Sequence, residues 1–76
     1  MEVNKFIQDF AAQFDETDAS VFSIGTHFRE IEEWGSLIAL SVIAMIDEEY
    51  DVKLKGDDIR NSQTIEDLYN LVKSKK

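Results

Sequence analysis

Few residues in this chain are equipped to do chemistry. One serine, Ser36, stands at the head of its most apolar stretch, where Leu37 to Ile46 are apolar at every position except Ser41. The one histidine, His27, lies beside Phe28 in a polar segment, and cysteine is absent. Nucleophilic catalysis requires a nucleophile, a base within reach and a group that orients the base. His27 reads as an ordinary loop histidine, and the chain is expected to be non-catalytic. Without cysteine there is no disulfide, no thiolate metal site and no cysteine nucleophile, so any thiol chemistry must come from an attached group. Calcium is a poor fit to the acidic runs. A loop starting at Asp47 puts Glu49 and Asp51 at its third and fifth positions but Val52 at the sixth, where an EF-hand needs glycine. One starting at Asp15 puts Ala19 and Ser20 at the fifth and sixth. No metal site is expected.

Sixteen acids against eight bases give a net charge of −8 and a pI near 4.4. Such a chain repels phosphate backbones and anionic lipid surfaces, which argues against nucleic acid and for basic protein partners. The charge is uneven: Glu30, Glu32, Glu33, Asp47, Glu48, Glu49 and Asp51 fall in a stretch with no base, while Lys53, Lys55, Lys73, Lys75 and Lys76 follow it. The longest apolar run falls well short of the roughly 20 residues of a membrane span. Met1-Glu2-Val3-Asn4 lacks the layout of a signal peptide, so a cytoplasmic protein is expected.

The elements that must position Ser36 follow from periodicity. Seventy-six residues make one domain, residues 1–76, able to bury only about 60% of its unfolded surface, so an enclosed active site is not expected. Hydrophobic residues at 43% nonetheless suffice for a packed bundle. Val3, Phe6, Ile7, Phe10, Ala11 and Phe14 mark one face of a first helix. From Asp15 to Gly35 the pattern lapses into a long turn-rich connection, in which Val21, Phe22, Ile24, Phe28 and Ile31 should anchor onto the bundle. The second helix should begin at Ser36, with its hydroxyl as cap, and run to about Tyr50. Asp57 to Arg60 forms a short third helix, and Thr64, with Asp67 as its capping-box partner, opens a fourth whose buried stripe is Ile65, Leu68, Leu71 and Val72. The expected fold is all-α: a four-helix up-and-down bundle with a long first loop and a short third helix.

The second helix has more apolar surface than a core needs. Ala39, Val42, Ile43, Ile46 and Tyr50 already form a complete stripe, yet Leu37, Leu40 and Ala44 form a second one, and Ile38 and Met45 lie on the other flank. Either this is a central helix contacted on several sides, or part of the surplus docks a partner or lines a slot for a ligand.

The order of long loop, Gly35-Ser36-Leu37, apolar helix and closing Asp47-Glu48-Glu49-Tyr50-Asp51 resembles the acyl carrier protein family, whose hallmark is Asp-Ser-Leu at the head of the second helix of a four-helix bundle. The resemblance extends through the short third helix and Thr64-Ile65-Glu66-Asp67-Leu68, so it covers essentially the whole chain. It implies that Ser36 is the attachment point of 4′-phosphopantetheine, transferred from coenzyme A, whose thiol carries acyl groups as thioesters. That would place the protein in fatty-acid, polyketide or other specialised acyl biosynthesis. The implied partners are a phosphopantetheinyl transferase and acyl-processing enzymes with basic docking patches, met by Glu32, Glu33, Asp47, Glu48 and Glu49, with apolar contact from Leu37, Leu40, Ala44 and Met45. The departures are Gly35 where the family usually has an acid, and Ile38 and Ser41 at positions often acidic. A monomer is expected. The alternative is an acidic helical interaction module without a prosthetic group, in which Ser36 only caps its helix.

Overall fold

The computed structural model describes residues 2–76 and contains four helices: α1 (Val3–Ala11), α2 (Ser36–Tyr50), α3 (Gly56–Arg60) and α4 (Ile65–Lys75). No strand occurs among the described residues. Among the described residues, no helix is long and apolar enough to cross a membrane.

The first helix starts where Glu2 folds back over it, its carboxylate accepting from the amides of Asn4 at 3.1 Å and Lys5 at 2.8 Å. Phe6 and Phe10 are fully buried. The helix ends at Ala11, before its apolar stripe does, and a tighter turn takes over in which the Phe14 amide donates to the Ala11 carbonyl at 3.0 Å. Phe14 thus leaves the helix but stays in the core.

The fourth helix is tied in the same local way. Thr64 Oγ1 accepts from the Asp67 amide at 3.1 Å, and Asp67 Oδ2 accepts from the amides of Gln63 at 3.1 Å and Thr64 at 3.2 Å. These backbone donors hold the Asp67 carboxyl below its ordinary pKa. Ile65, Leu68 and Val72 are fully buried, as their spacing requires.

The long connection, residues 12–35, holds its shape through side chains rather than regular structure, apart from short 3₁₀ turns at Ala19–Val21 and Phe28–Glu30. Phe10 is ringed by Phe14, Phe22, Phe28 and Trp34 at centroid distances of 5.6, 6.2, 5.4 and 6.4 Å. Aromatic pairs at such distances contribute about 0.5–1.5 kcal/mol each beyond their burial. Val21, expected to be one of the anchors, is instead 47% exposed. It lies in a 3₁₀ turn that contributes no buried residue, and the neighbouring Phe22 reaches the core in its place. The connection also closes the top of α4: the Thr26 and Ile24 carbonyls accept from the Ile65 and Glu66 amides at 3.1 and 2.8 Å.

Between α1 and α2 the link is polar as well as apolar. The Tyr50 phenol donates to Asp9 Oδ2 at 2.8 Å, and Lys5 Nζ bridges Asp9 at 2.7 Å and Glu49 at 3.3 Å. Burial, with the Asp9 carboxylate beside it, pushes the Tyr50 hydroxyl up to about 12. Asp51, in the left-handed region at φ 56°, then ends α2 and its amide donates to the Asp47 carbonyl at 3.0 Å.

Candidate functional site

Ser36 lies one residue further into α2 than a cap should. The N-cap is Gly35, at φ −169° and ψ −176°, which has no side chain to offer, and Ser36 is the first helical residue. The expectation that its hydroxyl caps the helix is therefore corrected. A capping side chain must leave a residue with extended backbone to reach the amides two or three positions on, and here that residue is glycine. The Ser36 side chain is exposed, and no hydrogen bond of its hydroxyl occurs among the described residues. The amides of Ser36, Leu37 and Ile38 likewise have no acceptor in the protein among the described residues, since the first α2 bond is from Ala39 to the Gly35 carbonyl. These open amides and the positive end of the helix dipole favour negative charge at this position.

Beside Ser36 lies a cleft of about 510 Å³. Trp34, Ala39, Leu40 and Ile43 form one wall, Gly56 and Ile59 the other, and Arg29 and Arg60 also line it. It thus joins the end of the long connection to α2 and α3. A second cleft of about 600 Å³ lies at the start of α4, against His27, Asp58, Ser62, Thr64 and Asp67. Several of its polar groups are already engaged: Ser62 Oγ donates to the Asp58 carbonyl at 3.0 Å, and Thr64 and Asp67 cap α4. His27 lines this second cleft and not the one beside Ser36, and no hydrogen bond joins the two among the described residues.

The expected docking residues divide. Leu37 and Leu40 are 77% and 64% exposed, and Ala44 continues their stripe into solvent. Met45 is corrected: only 6% exposed, it belongs to the core. It falls three residues after Val42 and one before Ile46, on the buried face of α2, and leaves little of its surface open to solvent.

Glu33 is corrected as well. Its carboxylate accepts from the amides of Asp15 at 2.6 Å, Glu16 at 3.0 Å and Thr17 at 3.0 Å, and from the Thr17 hydroxyl at 2.8 Å. Desolvation alone would raise its pKa, but the Thr17 hydroxyl and the three amides outweigh it and hold the carboxyl below its ordinary value. Glu33 is a clasp for the long connection. Its four accepted bonds tie the start of the connection, residues 15–17, to the end of it.

Among the remaining acids, Asp47 pairs with Lys53 and Glu49 with Lys5, each at 3.3 Å, while Glu32 and Glu48 are exposed and form no ion pair among the described residues. Asp47, Glu48 and Glu49 stand roughly 16–20 Å along the α2 axis from Ser36. Glu32, just before the helix, is the near acid. Arg29 and Arg60 were not singled out by the sequence reading. Nothing in their local spacing says that a loop turn and a short helix meet at one cleft, so no sequence signal could have paired them.

Comparison with protein-family models, with curated proteins and with solved structures finds no match.

Proposed function

We propose that the chain is a carrier of acyl or related carboxylic acid intermediates, held through a 4′-phosphopantetheine arm on Ser36. The observation that carries this reading is the exposed Ser36 hydroxyl, free of any capping bond, at the open end of a helix and on the wall of a largely apolar cleft. The residues present suit the group. An ester on Ser36 Oγ would project from exposed surface, and its negative charge would meet amides that no other group uses.

Attachment requires Ser36 Oγ to lose its proton to a base supplied by the transferase. A new Oγ–P bond then forms as the P–O bond of the coenzyme A diphosphate breaks, releasing adenosine 3′,5′-bisphosphate. When bound, the arm supplies a terminal thiol that holds cargo as a thioester. For their part, this chain's residues orient the attachment point, offer Leu37 and Leu40 as apolar contacts, and present Glu32 near the site and Glu48 further along α2. Exposed acids of this kind steer basic partner surfaces into place without making the complex tight, which suits a shuttle that must leave again. Tethering replaces diffusional encounter with a high effective concentration at each acyl-processing enzyme. The small bundle is of the acyl-carrier type in this reading.

A second reading rests on Leu37 and Leu40. Their exposure beside Glu32 also suits an acidic module that docks a basic amphipathic helix without any prosthetic group. Only the carrier reading requires Ser36 itself. Intact mass before and after incubation with coenzyme A and a broad-specificity phosphopantetheinyl transferase separates the two. The carrier gains one phosphopantetheine increment, absent in Ser36→Ala. An unchanged mass with several transferases, together with a basic helical peptide that binds Ser36→Ala as well as the parent, would favour the second reading.

A further inference from the structure

The cleft beside Ser36 has a charge pattern opposite to that of the chain around it. In a protein with sixteen acids and eight bases, its lining contains two arginines and no carboxylate. The two come from separate elements, Arg29 from the 3₁₀ turn at Phe28–Glu30 and Arg60 from α3. Arg29 has no ion pair or hydrogen-bond partner among the described residues. Arg60 contacts Asp57, but both side chains are about three-quarters exposed, and such a pair is weak in water and leaves most guanidinium donors unused.

We propose that Arg29 and Arg60 form an anion clamp that holds a phosphoryl group ester-linked to Ser36, a proposal that rests on the reading of Ser36 as an attachment point. Ser36 itself lines the cleft, so an ester on its oxygen would begin beside the space that the two arginines also line. Guanidinium matches phosphate in shape, giving two parallel N–H···O bonds where an ammonium gives a point contact. The clamp would fix the root of the arm and leave its far end free to swing. A phosphodiester from phosphopantetheine and a phosphomonoester on the serine share this chemistry.

The test uses the unmodified full chain and inorganic phosphate, followed by NMR at constant ionic strength with chloride as control. Saturable shifts at the Arg29 and Arg60 side-chain N–H groups and at the Ser36 amide are expected. The double variant Arg29→Gln, Arg60→Gln should weaken the apparent affinity at least roughly tenfold, the loss of about 1.4 kcal/mol. Lys73→Gln with Lys75→Gln should leave it unchanged, since those lysines lie on α4 away from this cleft. Shifts that chloride reproduces, or that survive the arginine double variant, would mean an adventitious ion only and would overturn the proposal. Intact mass after treatment with coenzyme A and transferase then identifies the source. If phosphate binds through the two arginines but Ser36 takes no phosphopantetheine, the carrier reading falls while the clamp stands, with a phosphomonoester as its occupant.

Discussion

At the start of α4 the amides of Ile65, Glu66 and Asp67 are satisfied in turn by the Thr26 carbonyl, the Ile24 carbonyl and the Thr64 hydroxyl. At the start of α2 the equivalent amides of Ser36, Leu37 and Ile38 have no acceptor in the protein among the described residues. Both helices begin with a hydroxyl residue in sequence. The difference is one position in register: Thr64 occupies the cap with extended backbone at φ −118°, whereas Ser36 is already helical and glycine holds the cap. A closed helix end contributes stability, and an open one leaves donors, charge preference and exposed side chains available to a ligand. The same chemistry therefore serves structure at one end of the molecule and availability at the other.

This contrast can be broken most forcefully through packing. Ile65 is fully buried at the first position of α4, while Leu37 is 77% exposed at the second of α2. Ile65→Ala should cost about 2–5 kcal/mol by leaving a cavity. Leu37→Ala should stay within about 0.5 kcal/mol. Urea unfolding of both variants checks this, and equal losses would mean that the α2 start is as integrated as that of α4. The hydroxyls give the next largest contrast. Thr64→Ala should cost about 0.5–2 kcal/mol, and Ser36→Ala, which removes no cap, should again stay within about 0.5 kcal/mol.

Closing the open end should sharpen the comparison from the other side. Gly35 sits in extended backbone that any residue adopts, and a Cβ there would meet nothing within 4 Å. Gly35→Asp should stabilise by a few tenths to about 1 kcal/mol, read as a rise in the unfolding midpoint, because a carboxylate at that position can cap the first-turn amides.

The smallest effect is the pH response of the closed end. The Asp67 carboxyl titrates below its ordinary value in the folded chain, so its contribution is present above the unfolded pKa of about 4 and is lost as pH falls through the folded one. Asp67→Asn should therefore lower the melting temperature at neutral pH, and the gap between variant and parent should narrow in acid. A gap that stayed constant down to the lowest accessible pH would show that the carboxylate charge is not what the cap uses.

Much of the architecture was legible in the chain itself. Four helices, the α2 limits at Ser36 and Tyr50, the reciprocal cap of Thr64 and Asp67 and the Ile65, Leu68, Val72 stripe all depend on residues within about four positions of one another. The candidate site was legible only in part. Leu37, Leu40 and Ala44 are exposed beyond the core stripe, one of the two outcomes that their surplus left open. Met45 and Glu33 were misplaced. Two neighbouring stripes on a highly apolar helix cannot be told apart until α1 settles against one of them, and a carboxylate cannot be recognised as a clasp until residues 15–17 fold back to it.

By itself, the sequence determined the all-helical class, the acidic character, the absence of any intrinsic thiol and the placing of one serine at the head of an apolar helix, because composition and periodicity are local properties. Only the tertiary structure decided which residue occupies the α2 cap, which face of that helix the core consumes, and that Arg29 and Arg60 line one cleft with Ser36. Those outcomes depend on how residues far apart in the chain compete for the same buried volume, which no spacing pattern records.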